Sequence, residues 1–198
     1  MKKLYFILLG FGLFAFKSDK TKHFATVEEV DDFPIFVFSK PVADYNIVGK
    51  ALSFNDAFKL IADQKSTIRK KTKMVVDFAL NRVKNGKIPQ FDALIFELDR
   101  DKVHAVKFKS EVSLKAEIID YNEEIPVFFF CEPNEKYSVV ATMEADYSIK
   151  AANSGFLYDK INSMINRTLR KRENKEVKNF DAIIISPNDL SEKLIVFE

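Results

Sequence analysis

The feature that most constrains this chain is that it is written twice. Pro34-Ile-Phe-Val-Phe-Ser-Lys-Pro41 followed by Tyr45-Asn-Ile-Val48 returns ninety-two residues later as Pro126-Val-Phe-Phe-Phe-Cys-Glu-Pro133 followed by Tyr137-Ser-Val-Val140. Six aligned positions are identical: Pro34/Pro126, Phe36/Phe128, Phe38/Phe130, Pro41/Pro133, Tyr45/Tyr137 and Val48/Val140. A second anchor recurs at an offset of eighty-nine, Phe91-Asp-Ala-Leu-Ile-Phe96 against Phe180-Asp-Ala-Ile-Ile-Ile185. Each copy then closes on an apolar stretch with Phe, at 103–108 and 194–197. Two anchors in the same order and at nearly the same separation are the mark of an internal repeat.

Within each copy the hydrophobic periods assign the elements. Residues 35–38 and 127–130 are apolar at every position and bounded by prolines, which predicts strands covered on both faces and ended by Pro41 and Pro133. Residues 45–52 and 137–143 mix β-branched, aromatic and polar side chains and predict strands with one wet face. A further strand is expected before each copy, at 24–30 and 114–121.

Ile68, Thr72, Val75, Val76, Ala79, Leu80 and Val83 form one helical stripe, matched by Leu157, Ile161, Met164, Ile165, Thr168, Leu169 and Arg172. Ser66 and Ser154 stand at the expected N-caps and Asn85-Gly86 at a C-cap. Residues 53–61 suggest an additional short helix in the first copy.

Each half therefore reads strand, strand, helix, strand, strand. One strong helix per half is too few for an alternating parallel fold, so the expected class is α+β with two tandem repeats, at 19–109 and 110–198. A single helix covers one face of a small sheet. The sister half, packed about a pseudo-twofold axis, is the expected cover for the other.

The first eighteen residues read as a secretory signal peptide. Lys2-Lys3 precedes an uncharged run at 4–16, and Lys17-Ser18-Asp19 follows. The run is shorter than the ~20 apolar residues a transmembrane helix needs, so export to the periplasm or medium is expected, with no integral span in the mature chain. The full chain has 31 basic and 29 acidic residues, a formal charge of +2. Loss of Lys2, Lys3 and Lys17 would bring it close to neutral, which gives no field for nucleic acid.

The order of a strand ending in Pro, Tyr-x-[Ile/Val]-[Ile/Val], a helix, Asp-Ala-[Ile/Val/Leu]-[Ile/Val/Leu] and a closing strand resembles the YbjQ-like family, nominally heavy-metal-binding domains, and related exported bacterial envelope proteins. The resemblance runs through Tyr45-Asn-Ile-Val48 with Phe91-Asp-Ala-Leu-Ile95, and Tyr137-Ser-Val-Val140 with Phe180-Asp-Ala-Ile-Ile184. The family's Gly-Ala before Asp-Ala is replaced by Gln90-Phe91 and Asn179-Phe180, and only Gly49 stands for its Gly-rich stretch. No ligand residues carry over.

The chemistry-bearing residues are sparse. Asp92 and Asp181 repeat without a repeated base or metal partner, which points to a turn-capping role. His23 and His104 have no His or Cys at ligand spacing; His23 is expected in a flexible N-terminus and His104 on a solvent face. Cys131, aligned with Ser39, is the single cysteine, expected to be a buried small hydrophobe rather than a nucleophile.

The acidic clusters Glu28-Glu29 with Asp31-Asp32, Asp99-Arg-Asp101 and Glu123-Glu124 lack a calcium-loop pattern and read as solvated loops. Arg167, Arg170, Lys171 and Arg172 crowd the end of the second helix, where cations complement the dipole and an anion or partner site is the sharper alternative. The Asn166-Arg-Thr168 sequon falls within that helix and is discounted. No residue is assigned as catalytic, cofactor-binding or metal-ligating, and no cofactor is called for. The expectation is a non-catalytic envelope module that binds a protein partner or self-associates, with a small-ligand or metal binder and an unrecognised enzyme as alternatives.

Overall fold

A computed structural model of the chain describes residues 21–52, 67–100, 102–119, 125–144 and 157–198. The expected leader at 1–18, the short helix at 53–61, the caps Ser66 and Ser154, and Glu123-Glu124 lie outside the described residues. The first half runs β1 (Phe24–Val27), β2 (Glu29–Val30), β3 (Phe33–Val37), β4 (Ser39–Pro41), β5 (Tyr45–Leu52), α1 (Ile68–Lys84), β6 (Ala93–Glu97), a 3-10 turn at Leu98–Arg100, and β7 (Lys102–Phe108). The second runs β8 (Lys115–Ile118), β9 (Val127–Phe129), β10 (Cys131–Pro133), β11 (Tyr137–Met143), α2 (Leu157–Glu173), β12 (Ala182–Ile185) and β13 (Glu192–Phe197). The protein is a strand-rich, mixed α+β fold.

The larger sheet has the order β11-β13-β12-β9-β3-β6-β7-β5, with β2 attached to β3. At its centre β3 and β9 meet antiparallel, Val37 opposite Phe129. Outward from this joint the pairings are alike on both sides. β3 is parallel to β6, which is antiparallel to β7, and β7 to β5. β9 is parallel to β12, which is antiparallel to β13, and β13 to β11. The outermost strands carry register shifts at Ile47/Gly49 and Val139/Ala141, irregularities of the kind that blunt an edge against further pairing.

The apolar runs sit at the centre because both faces of the sheet are covered. Side chains alternate across a strand, so Ile35, Val37, Leu94 and Phe96, with Val127, Phe129, Ile183 and Ile185, face the helices. They pack against Val75, Val76 and Ala79 of α1 and Ile161, Met164 and Ile165 of α2. Phe36, Ile95, Phe128 and Ile184 point the other way, onto Ala25, Val27, Ala116, Ile118 and Cys131.

That second layer corrects the expected cover. The sister half does not lie across the open face; the halves join edge to edge, and a four-stranded sheet of order β10-β1-β8-β4 lies beneath them. Its pairings cross between halves: β1 pairs with β10, Val27 opposite Cys131, and β8 with β4, Ile118 opposite Ser39, while β1 and β8 pair with each other. The physical cause lies at Phe38 (φ 52°) and Phe130 (φ 59°), both left-handed. Each turns the chain out of the large sheet and into the small one. The strands at 35–38 and 127–130 therefore end at these residues and not at the prolines, and Pro41 and Pro133 sit instead on the edge strands β4 and β10, where a missing N–H is tolerated.

The helix stripes are buried at Ile68, Thr72, Val75, Val76 and Ala79, and at Ile161, Met164, Ile165, Thr168 and Leu169. Leu80 departs from the expected stripe and is 39% exposed. Thr67 is the N-cap of α1, its Oγ1 accepting from Lys70 N at 3.2 Å. Both helices end alike. Gly86 (φ 66°) and Lys175 (φ 59°) are left-handed, and their N–H groups donate to the carbonyls of Val83 and Arg172. The glycine takes this conformation freely, whereas the lysine bears a steric cost.

Phe36 and Phe128 are fully buried, so truncating either to Ala should cost about 3–5 kcal/mol in denaturant melts. Because β1, β4, β8 and β10 interleave the halves, the wild-type chain should lose them in one cooperative transition.

Gly49 offers a second check. A Cβ built on it would stand 2.8 Å from Ile88 Cγ2, while the second half carries Ala141 and Val177 at the corresponding positions. Gly49→Ala should cost about 1–3 kcal/mol, and adding Ile88→Val should recover much of it in a double-mutant cycle.

Candidate functional site

Asp92 and Asp181, singled out in the sequence, hold strands together. Asp92 Oδ2 accepts from Phe108 N at 2.9 Å, and Asp181 Oδ2 from Phe197 N at 3.1 Å. Their own N–H groups donate to Val106 O and Ile195 O. Each aspartate thus clamps the start of one strand to the end of the next, reaching across the antiparallel pair instead of capping a local turn. Lys107 adds an ion pair to Asp92.

Both histidines differ from expectation. His23 packs against distant residues: its ring stacks on Phe197 at 4.8 Å, and Nδ1 lies 3.1 Å from Glu135 Oε1. His104 is half-buried rather than solvent-facing, with Nε2 3.4 Å from Glu97 Oε2. They lie in different strand environments, and among the described residues no group of three or more His, Cys, Asp or Glu stands together.

Cys131 is buried, and burial pushes its thiol up to about 12, outweighing the backbone hydrogen bond at Phe129 that lowers it. It faces the layer between the sheets as a small apolar side chain. It also borders a small cleft of about 190 Å³ with Glu28, Glu132 and Ser191. A thiol held protonated there is a poor nucleophile. The acidic cluster at 28–32 is tied to α1 by Glu28–Arg69 and Asp31–Lys73 ion pairs.

The polar group that sequence reasoning missed is in the second half. Glu192 and Thr168 are both fully buried, and Thr168 Oγ1 donates to Glu192 Oε2 at 2.8 Å. Arg167 Nη2 stands 3.8 Å from the same oxygen, and Glu192 Oε1 has no hydrogen-bond donor among the described residues. Burial pushes the Glu192 carboxyl above its ordinary 4.5, with the Thr168 hydrogen bond, Arg167 and Lys171 pulling the other way. The corresponding pair in the first half is Ala79 and Val103, both fully buried and apolar. The helical stripe already placed Thr168 opposite Ala79 on an apolar face, but the closing stretch of the second copy starts at 194 in the sequence reading, which leaves out Glu192 and its correspondence with Val103 at the same offset of eighty-nine.

Elsewhere α2 borders a depression of about 410 Å³, lined by Arg167, Arg170, Lys171, Asn174 and Glu176 among others. Arg167 belongs to both features. Arg170 makes no ion pair among the described residues, and Arg172 stacks instead over the Phe180 ring at 5.1 Å. Asn166 lies within α2 and donates to Asn162 Oδ1 at 3.2 Å.

Compared with protein-family models, curated proteins and solved structures, the chain shows no match to any.

The buried carboxyl sets a pH dependence. A folded-state value raised above 4.5 means that the native state holds this proton more tightly than the unfolded chain. The stability Glu192 allows is therefore complete below 4.5 and is lost as pH rises through the raised value. Glu192→Gln should remove that loss, making the variant more stable than wild type at pH 7 but not at pH 4 in paired urea melts.

Proposed function

We propose that this chain is an exported, non-catalytic binding or assembly module of the cell envelope, built by duplication of one α+β half and carrying its ligand site in the second half. The observation that carries the reading is the buried Glu192–Thr168 pair in the place where the first half has Val103 and Ala79. A buried carboxylate with an unpartnered oxygen costs stability. A departure from core packing in one half alone, reached by the arginine that also borders the basic depression, marks the place where function was added to an otherwise equivalent unit.

The duplication is supported by more than the sequence anchors. The left-handed residues Phe38 and Phe130, the bulges at Ile47/Gly49 and Val139/Ala141, and the aspartate clamps of Asp92 and Asp181 recur at the offsets read from the sequence. The non-catalytic part is supported by the engagement of those residues: the aspartates hold backbone N–H groups, and the Cys131 thiol is kept protonated by burial. Export is supported by Lys2-Lys3 and the uncharged run at 4–16.

Two measurements test this. Fractionation with intact-mass analysis should find a chain beginning near residue 19 in the periplasmic or envelope fraction; a chain retaining Met1 in the cytosol would overturn export. Hydrogen exchange of the full chain, with and without envelope extract, should show added protection along α2 and none along α1. Equal protection of both helices, or of neither, would remove the second-half site.

A further inference from the structure

We propose that Glu192 makes the seating of α2 sensitive to pH: with its carboxyl neutral the C-terminal turns of α2 stay packed on β13, and with the carboxylate formed they loosen, while α1 stays seated throughout. The inference goes beyond the ligand reading and does not depend on it. The first argument is how the carboxyl is held. Glu192 and Thr168 are fully buried, and the Thr168 hydroxyl, at 2.8 Å, is the one hydrogen-bond donor to this carboxyl among the described residues. Arg167 Nη2, at 3.8 Å, gives an ion pair without a hydrogen bond. A buried carboxylate is held stably when two or three donors meet its oxygens. Here the supply falls short, and burial outweighs the pull of Thr168, Arg167 and Lys171, so the group keeps its proton above the ordinary 4.5.

The charged surroundings are few. Arg167 and Lys171, both on α2, are the cations that act on the carboxyl. Its partners across the sheet, Met143 of β11 and Ile185 of β12, carry no charge, and Met143 Sδ lies 3.7 Å from the same Thr168 hydroxyl. Lys193, the next residue of β13, is exposed on the opposite face. Asp189, in the turn that leads into β13, accepts from Ser191 N at 3.0 Å and from Ser191 Oγ at 2.8 Å. Glu144 at the end of β11 is exposed.

The second argument is which element yields. Glu192 is fixed from both sides by the pairing of β13 with β11 and β12, whereas on its own side it meets α2 through Thr168. Lifting the last turns of α2 brings water to the carboxylate and breaks no strand pairing, so the helix is the cheaper element to move. Those turns also end on Lys175, left-handed at φ 59°, where α1 ends on Gly86 at φ 66°; the lysine bears a steric cost that the glycine does not. The third argument is the internal control. Ala79 and Val103 occupy the same places in the first half, fully buried and apolar, and give α1 no group whose charge depends on pH at this contact.

The test is amide hydrogen exchange of the isotopically labelled full chain at a series of pH values from 4.5 upward, corrected for the intrinsic pH dependence of exchange. Protection of residues 168–173 should fall by about tenfold or more as pH rises, since each unit by which the folded-state carboxyl is raised is worth a factor of ten, and then level off once the carboxyl has ionised. The equivalent residues 79–84 of α1 should keep their protection. The side-chain carboxyl carbon of Glu192 should titrate over the same range. In Glu192→Gln the fall along α2 should disappear.

A second variant, Glu192→Val with Thr168→Ala, installs the pair of the first half and should also hold α2 at constant protection; it decides the matter if Glu192→Gln does not fold. Protection of α2 that does not change with pH, a fall of equal size in both helices, or a fall that survives in these variants would overturn the proposal. So would a Glu192 carboxyl that titrates at its ordinary value.

Discussion

The fold depends on burying both faces of two adjacent strands, β3 and β9. Phe36 and Phe128 point to one side, and Ile35, Val37, Val127 and Phe129 to the other, so a layer is required above and below. Two helices supply one layer. The left-handed turns at Phe38 and Phe130 supply the other, by sending β4 and β10 out of the large sheet and under it. The rest follows from that geometry: each short strand needs a partner, and β1 and β8 provide it by crossing to the opposite half. Neither half has a complete second layer of its own, so the small sheet is built only from strands of both.

Against this shared frame, the differences between the halves become informative. Gly49 with Ile88 and Ala141 with Val177 exchange a methyl group at corresponding places, a volume-conserving swap of the kind cores tolerate. Thr168 and Glu192 in place of Ala79 and Val103 conserve nothing of the kind. They bring a carboxyl into the core, raise its affinity for a proton and leave one oxygen without a donor among the described residues. Arg167 connects that buried group with the basic depression, so the energetic oddity and the charged surface form one local arrangement.

Much of the local structure was legible because local rules govern it. Alternation and helical spacing placed the central strands and the stripe of α1, and Asn85-Gly86 marked its end. Leu80 failed the pattern because the stripe is narrower than its apolar residues suggest. His23 was expected to be mobile and is held instead by Phe197 and Glu135, partners more than a hundred residues away. Nothing near it in sequence announces either. Cys131 was legible as a core residue from its place after an apolar run, whereas Glu192 was masked by the charged Lys193 beside it and by its position at the start of a strand.

The sequence by itself determined the central strands, the two long helices and the apolar demand on both faces of those strands, because each of these is set by side-chain periodicity over a few residues, whereas the short strands at Ser39–Pro41 and Cys131–Pro133 were not legible in it. Only the tertiary structure decided how that demand is met. Joining the halves along an edge and lacing four short strands beneath them depends on two left-handed residues, both phenylalanines, whose type gives no hint of that conformation. The same holds for the candidate site: a glutamate becomes costly only when the packing of α2 against β13 removes it from water.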